Sequence, residues 1–354
     1  MISIEELLQT MVSRGASDLH IAAGSPPRIR VDGKLLPLAL DPLTRDETKK
    51  IIYGLLAEEQ IARFEKEMEL DFSFGIENLG RFRVNVFSQR GSLGMAIRLV
   101  PSIIRSFEEL GLPRSTCLQL CDMPKGLILV TGSTGSGKST TIASMVEYIN
   151  QTFEVHIVTV EDPIEFVFQN KKALVNQREI LHDTLSFKNS LKHVLRQDPD
   201  VVLIGEMRDN ETVEAALTIS ETGHLTFGTL HTSDIAQTVN RVVDIFPAHQ
   251  QEQVRTQLSM TLSAVFCQQL IPRSRGKGRV LAMEVMICTP AIRALIRENK
   301  IHQIYSTVQT SGHMGMKTMN ASLFELYKSG ALTYEDALVY SYDPEELKRM
   351  VMRG

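Results

Sequence analysis

The sequence predicts an α/β protein in which a smaller α+β domain precedes a larger domain built around a mostly parallel sheet. The first hundred residues mix short amphipathic helices with strands joined by short turns, and beyond residue 113 apolar strands alternate with helical stretches. Such alternation is typical of a parallel sheet with helices on both faces. The length of 354 residues suits about two domains of ordinary size.

Local signals predict the elements of the first domain. Ser3 followed by Glu6 is a capping-box pair that predicts a helix start, and the same pair recurs at Thr44 and Glu47. Asp32-Gly33, which separates the segments 28–31 and 34–38, predicts a tight hairpin. Further strands are predicted over 70–74, 81–88 and 93–100. Together these strands suit a largely antiparallel sheet.

A linker is predicted between the two domains. Pro101, Gly111 and Pro113 bracket residues 101–113, which leaves domains over 1–100 and 114–354. The larger domain opens with a predicted strand over 126–131 and a helix over 138–148. Further strands are predicted over 155–160 and 201–204. From about Gln250 the sequence predicts a mainly helical chain to its end.

Composition argues against nucleic acid and structural zinc as partners. The formal net charge is −4, and no domain or stripe is strongly basic, as nucleic-acid binding usually requires. The basic run between Arg273 and Arg279 is short and interrupted by glycine, so it is interpreted as a solvated loop. Four cysteines form no C-x-x-C pair, which predicts reduced and mostly buried thiols and no structural zinc.

Hydropathy predicts a cytoplasmic protein, or one peripheral to the cytoplasmic face of a membrane. No apolar run approaches the roughly 20 residues that a membrane-spanning helix needs. The first ten residues, MISIEELLQT, lack the cationic start and apolar stretch of a secretory signal.

A phosphate-binding loop follows the first strand of the larger domain. Residues 132–139 read G-S-T-G-S-G-K-S, which fits G-x-x-x-x-G-K-[ST] between a strand and a helix. Such a loop turns backbone N–H groups toward phosphate oxygens at a helix N-terminus. Lys138 is expected to reach the β- and γ-phosphates of ATP, and Ser139 to bind Mg²⁺. The candidate ATP-binding residues are Gly132, Ser133, Thr134, Gly135, Ser136, Gly137, Lys138, Ser139 and Thr140.

Carboxylates on two other predicted strands complete a candidate hydrolytic site. The strand 201–204 ends in Gly205-Glu206, whereas many Walker B strands carry Asp just before the Glu. We therefore expect Glu206 near Mg²⁺. Glu165, which follows the strand-ending sequence Glu161-Asp162-Pro163, is expected to orient or deprotonate the attacking water. The other interpretation is that Glu161, Asp162 and Glu165 cap a helix start.

Two histidines and three arginines are further candidates. His231 follows the Walker B strand by one helix and one strand, where a P-loop ATPase senses the γ-phosphate. For His224, seven residues earlier, the sensor and structural interpretations stay equally open. Arg81 and Arg83 alternate with apolar residues and so share one sheet face, and Arg98 is on the next strand. Spacing alone favours a solvated face over anion-binding fingers for these arginines.

Taken together, the motifs resemble the secretion-superfamily hexameric ATPases, and within them the retraction ATPases of type IV pili. The resemblance spans nearly the whole chain and is specific because several long motifs recur in order. The segments that carry it are 16–20 (ASDLH), 80–85 (GRFRVN), the phosphate loop, the aspartate box 160–165 (VEDPIE), 195–200 (LRQDPD), 204–209 (IGEMRD) and the histidine box 222–232 (TGHLTFGTLHT).

The resemblance implies a PAS-like domain followed by a RecA-like ATPase domain with a helical C-terminal part. It implies a homo-hexamer that holds ATP and Mg²⁺ between these two domains. It also makes the three arginines phosphate-facing, contrary to the interpretation from spacing. The catalytic residues that it implies are Glu165, Glu206, Lys138, Arg81, Arg83, Arg98 and His231.

The resemblance further implies a biological role. The expected function is ATP hydrolysis that drives pilus retraction and twitching motility. The expected partner is the inner-membrane pilus platform protein, which the ATPase would meet at the cytoplasmic face of the inner membrane.

Other functions remain as alternatives. Pilus-assembly and type II/IV secretion ATPases of the same superfamily usually carry an extra N-terminal domain and a four-cysteine zinc insertion, which we do not expect here. A GTPase would need N-K-x-D, and the segment 170–173 (NKKA) lacks the Asp. A DNA translocase would need a basic channel. A nucleotide-binding module without catalysis is disfavoured because both carboxylate positions are present.

The C-terminal segment Ala291–Glu298 departs from the retraction ATPases at one position, because Ala294 stands where they typically carry Asn. Thr289 predicts the helix start, and an apolar stripe at i, i+3, i+4 spacing predicts that the helix packs on its own core. Arg293 and Arg297 lie one turn apart, and we expect them to contact the platform or a neighbouring subunit.

Overall fold

The structure, a computed structural model, describes residues 2–31, 33–77, 79–101, 103–276 and 278–353. Backbone contacts divide the chain into two compact units, Met1–Ile103 and Ile104–Gly354. The limits expected for the two domains and the linker stay predictions.

The first unit combines helices with a sheet. Its first helix starts after Ser3, whose side chain forms a capping box with Glu6. The elements are α1 (Ile4–Ser13), β1 (Asp18–Ala22), β2 (Arg28–Val31), β3 (Lys34–Pro37), α2 (Arg45–Tyr53), α3 (Glu58–Glu67), β4 (Glu69–Ile76), β5 (Gly80–Gln89) and β6 (Ser92–Val100).

Within the described residues, the strands of this unit form one antiparallel sheet in the order β3-β2-β1-β6-β5-β4. The predicted capping boxes, hairpin strands and antiparallel sheet are confirmed, and the turn residue Asp32 lies outside the described residues. One face of the sheet packs against the helices around fully buried Phe82, Val84 and Val86. Strand β1 and helix α3 were not predicted.

The second unit alternates strands and helices. Its elements are α4 (Phe107–Leu110), α5 (Arg114–Cys121), β7 (Gly126–Thr131), α6 (Lys138–Thr152), β8 (His156–Glu161), β9 (Leu174–Glu179), α7 (Phe187–Val194), β10 (Val201–Ile204), α8 (Asn210–Glu221), β11 (Leu225–Leu230), α9 (Ile235–Asp244), α10 (Gln251–Thr261), β12 (Leu262–Pro272), β13 (Arg279–Ile287), α11 (Pro290–Arg297), α12 (Ile304–Thr310), α13 (Met319–Lys328), α14 (Tyr334–Val339) and α15 (Pro344–Arg353).

The sheet of the second unit runs β13-β12-β7-β11-β10-β8-β9, and every pair but β12–β13 is parallel. Hydrophobic cores lie on both of its faces, as the strand–helix alternation predicted. The fold class predicted from the sequence is therefore confirmed. Because β7, β8, β10 and β11 are parallel, their carboxyl ends meet at one edge of the sheet, which is where open α/β sheets bind ligands.

The expectation of a mainly helical chain from Gln250 onward is wrong. Residues 262–272 and 279–287 form the strands β12 and β13, and the helices resume only at Pro290. The first seven residues of β12 are all buried, as are five successive residues of β13. Strands covered on both faces have no polar alternation, so periodicity does not distinguish them from a buried helix. Arg273 and Arg275 lie between the two strands, whereas Arg279 begins β13.

Helix α11 begins as predicted, with the Thr289 hydroxyl accepting a hydrogen bond from the Ile292 N–H. Ile292 and Ile296 are fully buried, which confirms that the apolar stripe packs on the core. The expectation that Arg293 contacts the platform or a neighbouring subunit stays a prediction, and the structure adds a contact within the chain. The Nη1 atom of Arg293 lies 2.6 Å from the Ser259 carbonyl oxygen and 2.7 Å from that of Met260, so it caps the end of α10. Arg297 is exposed.

All four cysteines are buried and their thiols are free, which confirms the prediction of buried thiols. None of the helices in the described part of the chain combines the length with the apolar character that a membrane crossing requires.

Candidate active site

The phosphate loop, residues 132–137, joins β7 to α6 at the carboxyl edge of the parallel sheet. Gly132 has a φ of 142°, and a Cβ there would lie 2.4 Å from the Gln268 carbonyl oxygen, so only glycine fits. Gly137, with a φ of 95°, is the N-cap of α6 and offers no capping side chain. The first N–H groups of the helix are thus left for an anion.

Lys138 lies over this loop. Its Nζ donates to the carbonyl oxygens of Gly132, at 2.9 Å, and Ser133, at 3.1 Å. Partial burial lowers the pKa of Lys138, and the negative charge of Glu206 opposes this shift. A bound phosphate could replace both carbonyl contacts with stronger charge-assisted bonds. Ser139 and Thr140 are half-buried in the first turn of α6, and Ser133, Thr134 and Gly135 are exposed.

Glu206 follows β10 and is held at both carboxylate oxygens. Arg208 Nη2 lies 2.7 Å from Oε2, and His231 Nε2 lies 3.0 Å from Oε1. The hydrogen bond from Arg208 lowers the pKa of Glu206, and the charges of Arg208, His231 and Lys138 act in the same direction. The ends of β7, β10 and β11 therefore bring Lys138, Glu206 and His231 into one site.

Gly205 occupies the position where a Walker B Asp was expected. A Cβ on Gly205 would lie 3.1 Å from the Cα of Glu161 and 3.2 Å from the Val160 carbonyl oxygen on the neighbouring strand. The adjacent β8 thus leaves little room for a side chain here, and it supplies its own carboxyl group at Glu161.

The carboxyl group of Glu161 is buried within the aspartate box. Thr159 Oγ1 donates to it at 2.7 Å, and the backbone N–H of Glu165 donates at 3.2 Å. Burial raises the pKa of Glu161 to about 7. Glu161 therefore holds the loop that carries Glu165, whereas Asp162 and Glu165 themselves are exposed. The alternative interpretation, that Glu161, Asp162 and Glu165 cap a helix start, is wrong, because no helix starts in this segment.

Two residues of β9 complete the support of this loop. The Gln177 side chain accepts from Phe168 N at 2.8 Å and donates to Phe166 O at 2.8 Å. Glu179 accepts from Ile164 N at 3.2 Å. Neither residue was predicted from the sequence. They are two apart on a strand, so they share a face, and recognising β9 would have provided that signal.

His224 lies at the opposite end of β11 from His231. The strand between them is six residues long, which separates the two ends by about 20 Å. The Nδ1 atom of His224 is 3.0 Å from the Ile219 carbonyl oxygen near the end of α8. Within one chain, the fold therefore brings His231 to the phosphate loop and does not bring His224 there.

The three candidate arginines belong to the first unit. Arg81 and Arg83 are on one face of β5, opposite the buried Phe82. Arg83 pairs in register with Arg98 of β6. Arg81 Nη2 donates to Ser73 Oγ at 2.7 Å, and Arg98 Nε lies 2.8 Å from Asp18 Oδ1. The register of β5 and β6 thus places the three arginines on one sheet face, with the side chain of Arg98 67% exposed.

Comparisons with known proteins agree with this geometry. A family model described as type II/IV secretion system protein matches residues 1–337. The type IV pilus retraction ATPase PilT of Pseudomonas aeruginosa is 49% identical over 344 residues, which cover 97% of this chain and 99% of that protein. A twitching motility protein of Neisseria gonorrhoeae is 47% identical over 335 residues, or 95% of this chain and 89% of that protein.

A solved structure shares the fold over the same length. The crystal structure of the pilus retraction motor PilT with bound ADP superposes with a TM-score of 0.93 at 52% identity. The match covers 99% of this chain and 100% of that one.

Proposed function

The chain belongs to the family of type II/IV secretion system proteins, and we infer that it is an ATPase that retracts type IV pili by converting ATP hydrolysis into mechanical work. One observation carries the chemistry: Lys138, Glu206 and His231 converge where β7, β10 and β11 end. The relatives named for pilus retraction, which match almost end to end, favour retraction over pilus assembly or protein secretion.

The site has the groups that ATP requires. The loop 132–137 and the free first turn of α6 offer N–H donors to the phosphates, and Lys138 adds a cation beside them. PilT in the solved structure binds ADP, which supports the same nucleotide site here. The residues that would hold Mg²⁺ are Ser139 and Glu206, a hydroxyl and a carboxylate of the kind that hard cations prefer.

We assign the reaction steps to residues of this chain. Bound Mg²⁺ would neutralise charge between the phosphates. Glu165 takes a proton from the attacking water or orients it, because its carboxylate is exposed on a loop that Glu161 and Gln177 hold in place. Lys138 stabilises the charge that develops on the transferred phosphoryl group. His231 senses that group through its bond to Glu206. Arg81, Arg83 and Arg98 supply further cations.

The motor we propose is a ring of six copies at the cytoplasmic face of the inner membrane. A closed ring lets the hydrolysis step of one subunit change its contacts with the next without leaving unpaired surfaces. Its partner is the inner-membrane pilus platform protein, on which it pulls.

Gene deletion in the host tests the direction of work. Cells without the protein should assemble pili but neither withdraw them nor twitch. A gene for the intact protein should restore both activities, whereas the Lys138→Ala variant should not. Lys125→Ala, an exposed lysine before β7, is the matched control and should restore retraction. Cells that lose their pili on deletion would identify an assembly motor instead.

A further inference from the structure

We propose that Tyr342 is a positioning residue that connects the C-terminal helices to the loop that begins at His231, and that it sets the fraction of molecules in which this loop is placed for catalysis. We call residues 231–234 the sensor loop. The proposal rests on the proposed function only through the role of His231, and its contacts lie within the second unit.

The sensor loop is fixed at both ends. At its start, His231 is bonded to Glu206. At its end, the Asp234 side chain caps α9 by accepting from the Gln237 N–H at 2.8 Å. Between them, the carbonyl oxygen of Ser233 accepts a hydrogen bond from the Tyr342 hydroxyl at 2.5 Å. Tyr342 is 109 residues away in sequence, so this contact ties a distant segment to the loop.

The direction of this hydrogen bond follows from a second contact. The Gln269 Nε2 atom of β12 donates to the Tyr342 hydroxyl oxygen at 2.6 Å. An amide NH₂ group only donates and a carbonyl oxygen only accepts, so the hydroxyl proton must point at Ser233. The reverse amide orientation would take the tyrosine proton and leave the Ser233 carbonyl without this donor. The chain Gln269, Tyr342, Ser233 thus has one arrangement that satisfies every group.

The backbone around Tyr342 is anchored although the residue itself is 45% exposed. Ser341 Oγ donates to Asn320 Oδ1 at 2.6 Å, and Asn320 Nδ2 donates to the Asp343 carbonyl oxygen at 2.9 Å. Asn320 belongs to α13 and is 2% exposed. One buried side chain therefore holds the residues on both sides of Tyr342, so the hydroxyl is presented from a fixed platform.

A hydrogen-bond donor that is fixed outside a catalytic loop restricts the positions that the loop can occupy. The sensor loop must keep His231 within reach of Glu206 when nucleotide is hydrolysed, and Tyr342 stabilises one position of its centre. A movement of the C-terminal helices would shift the sensor loop through the hydrogen bond of the same hydroxyl. The expected influence is that of one hydrogen bond, about a fivefold change in the population of the competent loop.

Tyr342→Phe tests this because it removes only the hydroxyl. We expect kcat for ATP hydrolysis to fall about fivefold, with the KM for ATP and the affinity for fluorescent ADP unchanged. Hydrogen–deuterium exchange of the peptide that contains residues 231–234 should speed up by a similar factor. Tyr334→Phe, which removes a hydroxyl from α14 where the ring packs on Tyr327 at 5.9 Å, should change neither quantity.

A second variant separates positioning from folding. Gln269→Leu should reduce kcat in the same direction, and combining it with Tyr342→Phe should add nothing, because both act through one hydroxyl. Wild-type kcat and exchange in both single variants would overturn the proposal, and so would fully additive effects. If the wild-type protein hydrolyses no ATP, the proposed function fails, whereas the exchange measurement still decides whether Tyr342 holds the loop.

Discussion

The Nε2 atom of His231 lies 3.0 Å from the Oε1 atom of Glu206, which joins the ends of two neighbouring strands. The other carboxylate oxygen of Glu206 is hydrogen-bonded to Arg208. This bond lowers the pKa of Glu206. A carboxylate with a lowered pKa stays ionised and is a weak base, so it suits a metal shell better than proton removal. We therefore keep Glu165 as the proposed base.

Glu165→Gln should therefore bind ATP but hydrolyse it at least about a hundredfold more slowly, the usual contribution of a general base. Glu206→Gln should also lose turnover, because it would weaken the proposed Mg²⁺ site and the contact with His231. Steady-state hydrolysis measures turnover, and binding of a fluorescent nucleotide measures affinity, for both variants. Glu154→Gln, an exposed carboxylate before β8, is the control and should leave both unchanged. Wild-type turnover in Glu165→Gln would exclude it as the base.

Arg83→Ala should slow hydrolysis by about 10³-fold or more if the arginine acts on the transferring phosphoryl group. Arg81→Ala and Arg98→Ala should act in the same direction. Arg30→Ala is a matched control, because Arg30 also lies near Asp18, at 3.7 Å, yet is absent from the predicted catalytic set. Turnover and circular dichroism, measured on all four variants, separate a catalytic loss from unfolding. Near-normal rates in the first three would show that these arginines are only a charged sheet face.

Gln177→Leu should lower kcat roughly tenfold or more while nucleotide affinity stays within about twofold, since it removes two backbone hydrogen bonds that hold the Glu165 loop. The measurement is kcat and KM on protein whose folded fraction is checked by circular dichroism, because unfolding alone would also lower kcat at an unchanged KM. Asn176→Ala alters an exposed neighbour whose side chain contacts His156, at 2.9 Å, and should leave kcat unchanged. If Gln177→Leu retains wild-type kcat, the loop does not depend on this clamp.

Much of this site could be predicted because its motifs are local. The phosphate loop requires glycines at fixed offsets and Lys138 at a helix start, and each requirement is visible in eight consecutive residues. The partners of Glu165 could not be predicted, because Gln177 approaches its loop only through the pairing of β8 with β9. The contact of Arg293 with the end of α10 was missed for the same reason, since that helix ends 32 residues earlier.

The error in β12 and β13 has a different cause. These strands are covered on both faces, and their mostly apolar sequences match a buried helix equally well. Only the pairing of β12 with β7, which the sequence does not encode locally, distinguishes the two.

Glu284 provides a test of stability against pH. It is 3% exposed on β13, and its Oε2 atom accepts from the Ile235 N–H at 3.0 Å. Burial raises the pKa of Glu284 from 4.5 to about 7. The folded state therefore binds this proton more tightly than the unfolded state, and the contribution of this group to stability falls as pH rises from about 4.5 to about 7.

Glu284→Gln should remove that loss, because the neutral amide keeps an oxygen that accepts from Ile235. Relative to wild type, the variant should gain on the order of 1–3 kcal/mol in free energy of unfolding between pH 5 and pH 8. Urea unfolding at several pH values in this interval measures the difference. Glu335→Gln, an exposed carboxylate on α14, should show no such trend. A constant difference between Glu284→Gln and wild type at all pH values would mean that the folded protein tolerates the ionised carboxylate, and that burial does not control its protonation.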